Sequence, residues 1–222
     1  MDYSANFLHK MDLTRAIQEF APIPIPHHAM MGLLKDYINP NNKIHELVKS
    51  GILQRVTKGL YIAGQALQAE RPDPFLLANQ ILGPSYVSVE SALSYHGLIP
   101  ERVYATTSMT TKAARQYQTP LGTFTYTRLS LPYYSFGIRS VKITKQQTVM
   151  IASPEKALLD KIITTAGVEF RSKTSVLSYM ESDLRVDLND LKQLDREAMQ
   201  SWLSHAPKKR ALMLLIKTLE TV

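Results

Sequence analysis

The segment HHAMMGLLKDYINPNNKIHELVKSGILQRVTKGLYIA, residues 27–63, decides the fold of this chain. In its first twelve residues, apolar side chains recur every three or four positions, which predicts a helix. Asn39-Pro40 ends that helix, because a residue before proline disfavours the α conformation. A shorter helix is predicted next, capped by one of the two asparagines after Pro40 and ended by Gly51. The two helices therefore meet across a tight turn.

A β-hairpin is predicted directly after these helices. Residues 52–56 and 60–63 are rich in β-branched and apolar side chains, and the turn between them contains Gly59, which accommodates a positive φ. The order helix, turn, helix and hairpin is that of a winged helix-turn-helix, a module that places its second helix in the major groove of DNA. We therefore expect a DNA-binding domain here.

The chain before this segment is predicted to contain a helix and a rigid connector. Residues 3–20 place apolar side chains at helical spacing without an interrupting proline. Residues 21–26 read APIPIP, and proline at every second position fixes φ and removes backbone donors, so this stretch is predicted to be extended. It is a connector between helices or, alternatively, a proline-rich ligand for another protein.

The second helix and the hairpin supply the candidate DNA-contacting residues. With the apolar side of the helix packed on the module, its polar side faces outward, and the hairpin offers basic side chains to phosphates. Four of these side chains are basic, and Glu46 is the one acidic side chain on the same polar side of the helix. The candidates are Asn41, Asn42, Lys43, His45, Lys49, Arg55 and Lys58.

A polar segment with two prolines, residues 65–74, is the predicted domain boundary. Beyond it, the pattern predicts helices over 75–82, 88–96 and 154–164, strands over 103–109, 122–129, 138–143 and 148–151, and closing helices after Gly167. The predicted fold class is therefore α+β. A winged helix-turn-helix over residues 1–68 precedes a larger α+β domain over residues 69–222 that ends in helices.

The positive charge is concentrated in the middle of the chain. The net charge is +7; residues 1–70 carry 7 basic and 6 acidic side chains, 71–150 carry 8 and 3, and 151–222 carry 11 and 10. Cations interleaved with aromatic rings can follow a nucleic-acid backbone or hold an acidic protein, although a solvated sheet face is an alternative. The candidate surface comprises Lys112, Arg115, Arg128, Arg139, Lys142 and Lys145.

Composition excludes several classes of site. The chain has no cysteine, which excludes disulfides, thiolate zinc sites and a cysteine nucleophile.

The chain has no apolar run of membrane-spanning length and no secretory signal, so we expect a cytoplasmic protein. No phosphate loop or nucleophile elbow is recognisable, and the adjacent His27 and His28 diverge on a helix, so we predict no enzyme, metal or cofactor. A nuclease cluster of Glu155, Lys156 and Asp160 is an alternative.

Three segments of the chain resemble one known family, the AbiEi antitoxins of bacterial type IV toxin–antitoxin, or abortive-infection, systems. The segments are SGILQRVTKGLY at 50–61, YVSVESALSYHGL at 86–98 and ASPEKALLD at 152–160. Their order and spacing carry the resemblance, which runs from about the second helix to the C-terminus.

The resemblance implies two functions. An N-terminal winged helix would repress its own operon by binding double-stranded operator DNA at inverted repeats. A C-terminal domain would counteract a cognate nucleotidyltransferase toxin. The alternatives are a protein-interaction module and a stand-alone transcriptional regulator without a toxin partner.

Overall fold

The N-terminal part of the protein is a winged helix. The structure, a computed structural model, describes residues 13–101 and 103–221. The predicted first helix is present over 13–20, and its predicted beginning at Tyr3 lies outside the described residues. The elements are α1 (13–20), β1 (Ile25–Pro26), α2 (His27–Leu33), α3 (Pro40–Lys49), β2 (Leu53–Thr57) and β3 (Leu60–Ala63).

The three strands of this module form one antiparallel sheet in the order β1-β3-β2. The proline-rich connector supplies β1, in which Ile25 lies opposite Tyr61 and is fully buried. Proline is compatible with this position, because β1 is an edge strand that can do without one backbone donor. The connector is therefore part of the winged-helix sheet.

Two boundaries in the helix-turn-helix differ from the prediction. Helix α2 ends at Leu33, five residues before the predicted end at Ile38, whose side chain is 97% exposed. Helix α3 begins at Pro40 with Asn39 as its N-cap, so both predicted caps lie inside its first turn. Proline suits the first helical position, where its missing N–H has no helical partner. Gly51 follows α3 at φ 73°, as predicted.

The larger domain is built on a six-stranded mixed sheet, which confirms the α+β class. The strand order is β6-β7-β5-β4-β9-β8; β5 runs parallel to β7 and β4 to β9, and the other pairs are antiparallel. The strands are β4 (Ser85–Val87), β5 (Ala105–Thr110), β6 (Arg115–Thr119), β7 (Gly122–Arg128), β8 (Ile138–Lys142) and β9 (Thr148–Ala152).

In the sequence, helices come before the first strand of this sheet, between its strands β4 and β5, and after its last strand. The chain enters the domain through a short 3₁₀ turn, Gln65–Leu67, and ends in the predicted run of helices. None of the helices described is long and apolar enough to cross a bilayer. The helices are α4 (Pro74–Ile81), α5 (Val89–Tyr95), α6 (Pro154–Thr164), α7 (Lys173–Ser178), α8 (Leu188–Leu191), α9 (Arg196–Trp202) and α10 (Lys209–Leu219).

The hairpin β2–β3 belongs to two hydrophobic cores at once. Leu53 and Tyr61 pack in the core of the winged helix. Val56, Leu60 and Ile62 pack in the core of the larger domain. Because successive side chains of a strand point to opposite faces, one hairpin can be buried on both sides. The boundary predicted at residue 68 stays a prediction, but the hairpin before it contributes to both units.

Candidate nucleic-acid interface

Helix α3 turns a polar face to solvent. Ile44 and Leu47 are buried in the core of the winged helix, because they lie three residues apart on one side of the helix. The opposite side carries side chains that can donate to or accept from base edges and phosphates. The exposed candidates on α3 are Asn41, Asn42, His45 and Lys49.

Lys43 is less available than its neighbours on α3. Its Nζ lies 2.8 Å from Oε2 of Glu46 and 5.5 Å from the centroid of the Tyr37 ring. The Lys43 side chain is only 21% exposed, and Glu46 offsets its charge locally. The sequence placed Lys43 outward with the others, whereas the structure packs it along the helix surface.

The hairpin places two exposed cations beside this helix. Arg55 and Lys58 are exposed, as expected, and the Arg55 guanidinium lies 5.8 Å from the centroid of the Tyr61 ring. A cation over a ring face gains electrostatic attraction and holds a defined position. The turn closes at Gly59, whose φ of 82° favours glycine. The wing therefore presents an oriented arginine and a lysine at its tip.

Two histidines, whose adjacent positions in the sequence suggested only metal ligation, lie next to the wing tip. The backbone N–H of His27 donates to the carbonyl of Gly59 at 2.8 Å, and both His27 and His28 are exposed at the start of α2. The described residues contain no group of three potential metal ligands. The signal that could have identified these histidines is β1, since its pairing with β3 brings α2 to the wing.

The basic residues of the larger domain do not form one continuous surface. Lys112, Arg115 and Arg128 lie at the β6–β7 edge of the sheet, and Lys142 and Lys145 lie at the β8 edge. All five are exposed.

Arg139 stands apart from the other five basic residues. It lies near the other end of β8, opposite Ile151, and its guanidinium is 3.7 Å from the Glu155 carboxylate. Arg139 therefore has a partner inside its own domain.

A buried polar cluster lies beneath the sheet, where α6 meets β4. The Nζ atom of Lys156 is 3.1 Å from Oδ1 of Asp160, and neither side chain has any exposed surface. The hydroxyls of Tyr86 and Ser88 donate to Oδ2 of Asp160 at 2.9 and 2.8 Å. Lys156 Nζ also donates to the Tyr133 carbonyl at 2.9 Å and lies 3.2 Å from the Tyr133 ring centroid.

Burial dominates the protonation of this cluster. It lowers the pKa of Lys156 to about 8, and the neighbouring Asp160 carboxylate opposes that shift. It raises the pKa of Asp160, and it raises the pKa values of Tyr86 and Tyr133 far above the ordinary tyrosine value. The nuclease alternative needs Lys156 and Asp160 to reach a substrate. This geometry instead makes them a buried support for the fold.

Comparisons with known proteins give a structural likeness and no family. No protein-family model matches the chain, and no curated protein matches it. The fold is similar to that of the RV2827C protein from Mycobacterium tuberculosis, known from a crystal structure, with a TM-score of 0.62 and 16% sequence identity. The match covers 95% of this chain and 77% of that chain. At this identity the likeness shows a shared fold alone.

Proposed function

We propose that this protein is a cytoplasmic DNA-binding antitoxin that binds operator DNA through its winged helix and represses its own operon. The observation that carries the DNA-binding part is the exposed polar face of α3 beside a cationic hairpin, on a sheet of order β1-β3-β2. A helix of this kind enters the major groove, while the wing and neighbouring donors hold the phosphates.

The side chains divide naturally between these two tasks. Asn42 and His45 are exposed near the N-terminal half of α3, which is the part of a recognition helix that contacts base edges. Asparagine can form a bidentate pair with adenine. Lys49, Arg55 and Lys58 are exposed cations suited to phosphates, whose contacts fix the position of the protein on the duplex.

The antitoxin part of the proposal rests on the resemblance of three segments to AbiEi proteins. Two of these segments supply the buried cluster, since Tyr86 and Ser88 belong to one, and Lys156 and Asp160 to the other. The resemblance therefore reflects the internal framework of the larger domain. A surface that counteracts a nucleotidyltransferase toxin would consist of other, exposed residues.

The DNA-binding part is tested with a labelled duplex of the protein's own upstream sequence. The variant Lys49→Glu with Lys58→Glu should bind this duplex much more weakly than the wild type, because both exposed cations become anions that face phosphates. A matched control, Lys192→Glu with Lys217→Glu, changes the net charge equally on exposed residues of the C-terminal helical region and should retain binding. Equal binding by both variants, or binding that is insensitive to salt, would contradict the proposal.

The antitoxin part is tested by growth. Cells that express an adjacent reading frame encoding a nucleotidyltransferase should stop growing, and co-expression of this protein should restore growth. The Lys49→Glu and Lys58→Glu variant, supplied from an independent promoter, should still restore growth, because neutralisation is assigned to the larger domain. Failure of the wild-type protein to restore growth would reduce the proposal to a transcriptional regulator.

A protein-interaction module is the second candidate, and one residue favours it. Ile38, in the turn between α2 and α3, is 97% exposed. A large apolar side chain at a prominent turn suits a contact with another protein. Ile38→Ser should leave DNA binding unchanged in the first proposal. Loss of a co-purifying partner in that variant, with no loss of DNA binding in the Lys49→Glu and Lys58→Glu variant, would favour the second candidate.

A further inference from the structure

One continuous stretch of the chain is free of acidic residues. Residues 102–154 contain seven lysines and arginines and no aspartate or glutamate. Its described residues, 103–154, include strands β5 to β9, five of the six strands in the large sheet. The sheet therefore carries positive charge that no acidic side chain of the same stretch offsets.

Strand register gathers one group of these cations at one end of the sheet. Arg128 is the last residue of β7 and lies opposite Thr110, the last residue of β5. Arg115 is the first residue of β6, which runs antiparallel to β7. Lys112 lies in the loop that leads from β5 to β6. All three cations therefore lie where β5 and β7 end.

A second group reaches the same end from the opposite edge. Lys142 is the last residue of β8 and lies opposite Thr148, the first residue of β9, and Lys145 lies in the turn between them. Strand β9 runs parallel to β4, and β4 runs antiparallel to β5. The start of β9 therefore lies at the same end of the sheet as the finish of β5.

We define the basic end of the sheet as Lys112, Arg115, Arg128, Lys142 and Lys145. These residues form a row of two separate groups at opposite edges of the six strands, which at the usual spacing of neighbouring strands are about 24 Å apart. Asp73 is also near this end, because its N–H donates to Gln147 at 2.7 Å, but its carboxylate accepts from Phe75 N and caps α4. The single negative charge of Asp73 can offset at most one of the five positive charges of the row.

We propose that the basic end of the sheet binds the phosphates of duplex DNA without regard to sequence, as a contact separate from the winged helix. A row of about 24 Å matches roughly 7 base pairs of duplex at 3.4 Å per pair. Sequence-independent binding needs lysine and arginine in such a row and requires no pocket.

The surroundings of the row favour DNA over an acidic protein. Protein interfaces concentrate their binding energy in buried aromatic and apolar side chains at the centre of the patch. Among the exposed large apolar side chains of the described residues, Leu131 follows β7 and Met150 lies in β9, and neither is aromatic. The exposed aromatic residues Tyr95 and Tyr104 lie by the opposite end, next to the start of β5.

The test measures how binding of a labelled duplex of arbitrary sequence depends on salt, using the full chain. Two variants are compared, Lys112→Gln with Arg128→Gln and Lys142→Gln with Lys145→Gln. Each should lower the slope of log affinity against log salt by about 1.8, the value for two lost phosphate contacts. The loss of affinity between 50 and 200 mM salt should then be roughly tenfold smaller than for the wild type.

Matched variants separate this proposal from the function of the winged helix. Lys192→Gln with Lys217→Gln should keep the wild-type slope, although it removes the same charge. Asn42→Ala with His45→Ala should keep the slope on the arbitrary duplex even if it abolishes preference for upstream DNA. Wild-type slopes in both basic-end variants would overturn the proposal. The proposal would also be overturned if the basic-end variants kept the wild-type affinity for the duplex but no longer bound a labelled polyglutamate peptide. That result would assign the surface to an acidic protein.

Discussion

The ammonium group of Lys156 and the carboxylate of Asp160 form an ion pair one helical turn apart, at 3.1 Å and with no exposed surface. Two hydroxyls from outside α6, those of Tyr86 and Ser88, complete the hydrogen bonding of one Asp160 oxygen. The pair thereby connects α6 to the central strand β4. Removing one partner of a buried ion pair destabilises the fold, because the desolvation of the remaining charge is no longer offset.

Removing one partner of this pair should therefore destabilise the protein strongly. We expect Lys156→Met to lower the free energy of unfolding by about 3–5 kcal/mol, the usual effect of leaving a buried charge unpaired. Urea denaturation followed by circular dichroism measures this loss. A control is Lys161→Met, because Lys161 lies on α6 like Lys156 and pairs with Glu90 of α5, but is partly exposed. That substitution should cost about 1 kcal/mol or less.

The double variant provides the second half of this prediction. Adding Asp160→Asn to Lys156→Met removes the unpaired charge and keeps an oxygen that accepts from Tyr86 and Ser88. We expect the double variant to be more stable than Lys156→Met alone. If the two substitutions destabilise additively, the residues do not act as a pair, and the interpretation of the cluster is wrong.

The buried tyrosines should make the protein sensitive to alkali. Burial raises the pKa values of Tyr86, Tyr126 and Tyr133 above their ordinary value of 10. Above pH 10 the unfolded chain therefore releases phenolic protons that the folded chain retains. Stability is unaffected by these groups below pH 10 and falls as the pH rises beyond it, by about 1.4 kcal/mol per pH unit for each tyrosine.

Urea titrations between pH 9 and 11 measure this effect. We expect Tyr126→Phe to reduce the fall in stability above pH 10 by one tyrosine's share. Tyr104→Phe serves as the control, because this side chain is 88% exposed. A stability profile with the same slope in Tyr126→Phe as in the wild type would show that burial does not hold the Tyr126 proton.

For some elements, the local sequence pattern predicted the first and last residues correctly. Helix α6 runs from Pro154 to Thr164 as predicted, with the Ser153 hydroxyl accepting from Lys156 N at 3.2 Å. A capping serine, a proline at the first position and an apolar run all lie within a few residues, so no distant contact was needed to find this helix. Strand β6 gave no such signal, because RQYQT is a polar edge strand.

The candidate site was less predictable than the fold, because it depends on tertiary contacts. Nothing local shows that Lys156 and Asp160 are buried, since the hydroxyls that stabilise Asp160 come from more than 70 residues away. The exposure of Ile38 was also hidden, because its spacing continued the apolar pattern of α2. Likewise, the register of β8 against β9 is what places Arg139 opposite Ile151, at the end of β8 away from Lys142.

The exposed face of α3 should determine sequence preference. We expect Asn42→Ala to reduce affinity for upstream DNA by about 1–3 kcal/mol, the range for a specific base contact, and to leave affinity for an arbitrary duplex unchanged. Arg55→Ala should instead weaken binding to both duplexes alike, because phosphate contacts carry no sequence information. Anisotropy titrations with the two duplexes at one salt concentration measure both effects. A parallel loss on both duplexes in Asn42→Ala would exclude base reading by that residue.

The hairpin β2–β3 should couple the stability of the two cores. Leu53 is 1% exposed in the core of the winged helix, and Ile62 is fully buried in the core of the larger domain, on opposite faces of the hairpin. We expect Leu53→Ala and Ile62→Ala each to cost about 2–5 kcal/mol, as large-to-small core substitutions do. Because the hairpin is shared, both should lower the unfolding midpoint of the whole chain.

Trp202, the chain's single tryptophan, reports on the larger domain alone, since it lies in α9 and stacks on Phe136. In Leu53→Ala, the unfolding midpoint measured by Trp202 fluorescence should therefore move to a lower urea concentration, although Leu53 belongs to the other core. Ile23→Ala, at a side chain 40% exposed, is the control and should shift the midpoint little. If Leu53→Ala instead splits the unfolding transition, with the Trp202 midpoint unchanged and only the circular dichroism midpoint shifted, the cores unfold independently.

Coupling of the two cores also predicts that a fragment beginning at Phe75 is less stable than the full chain, because it lacks the buried side chains of the hairpin.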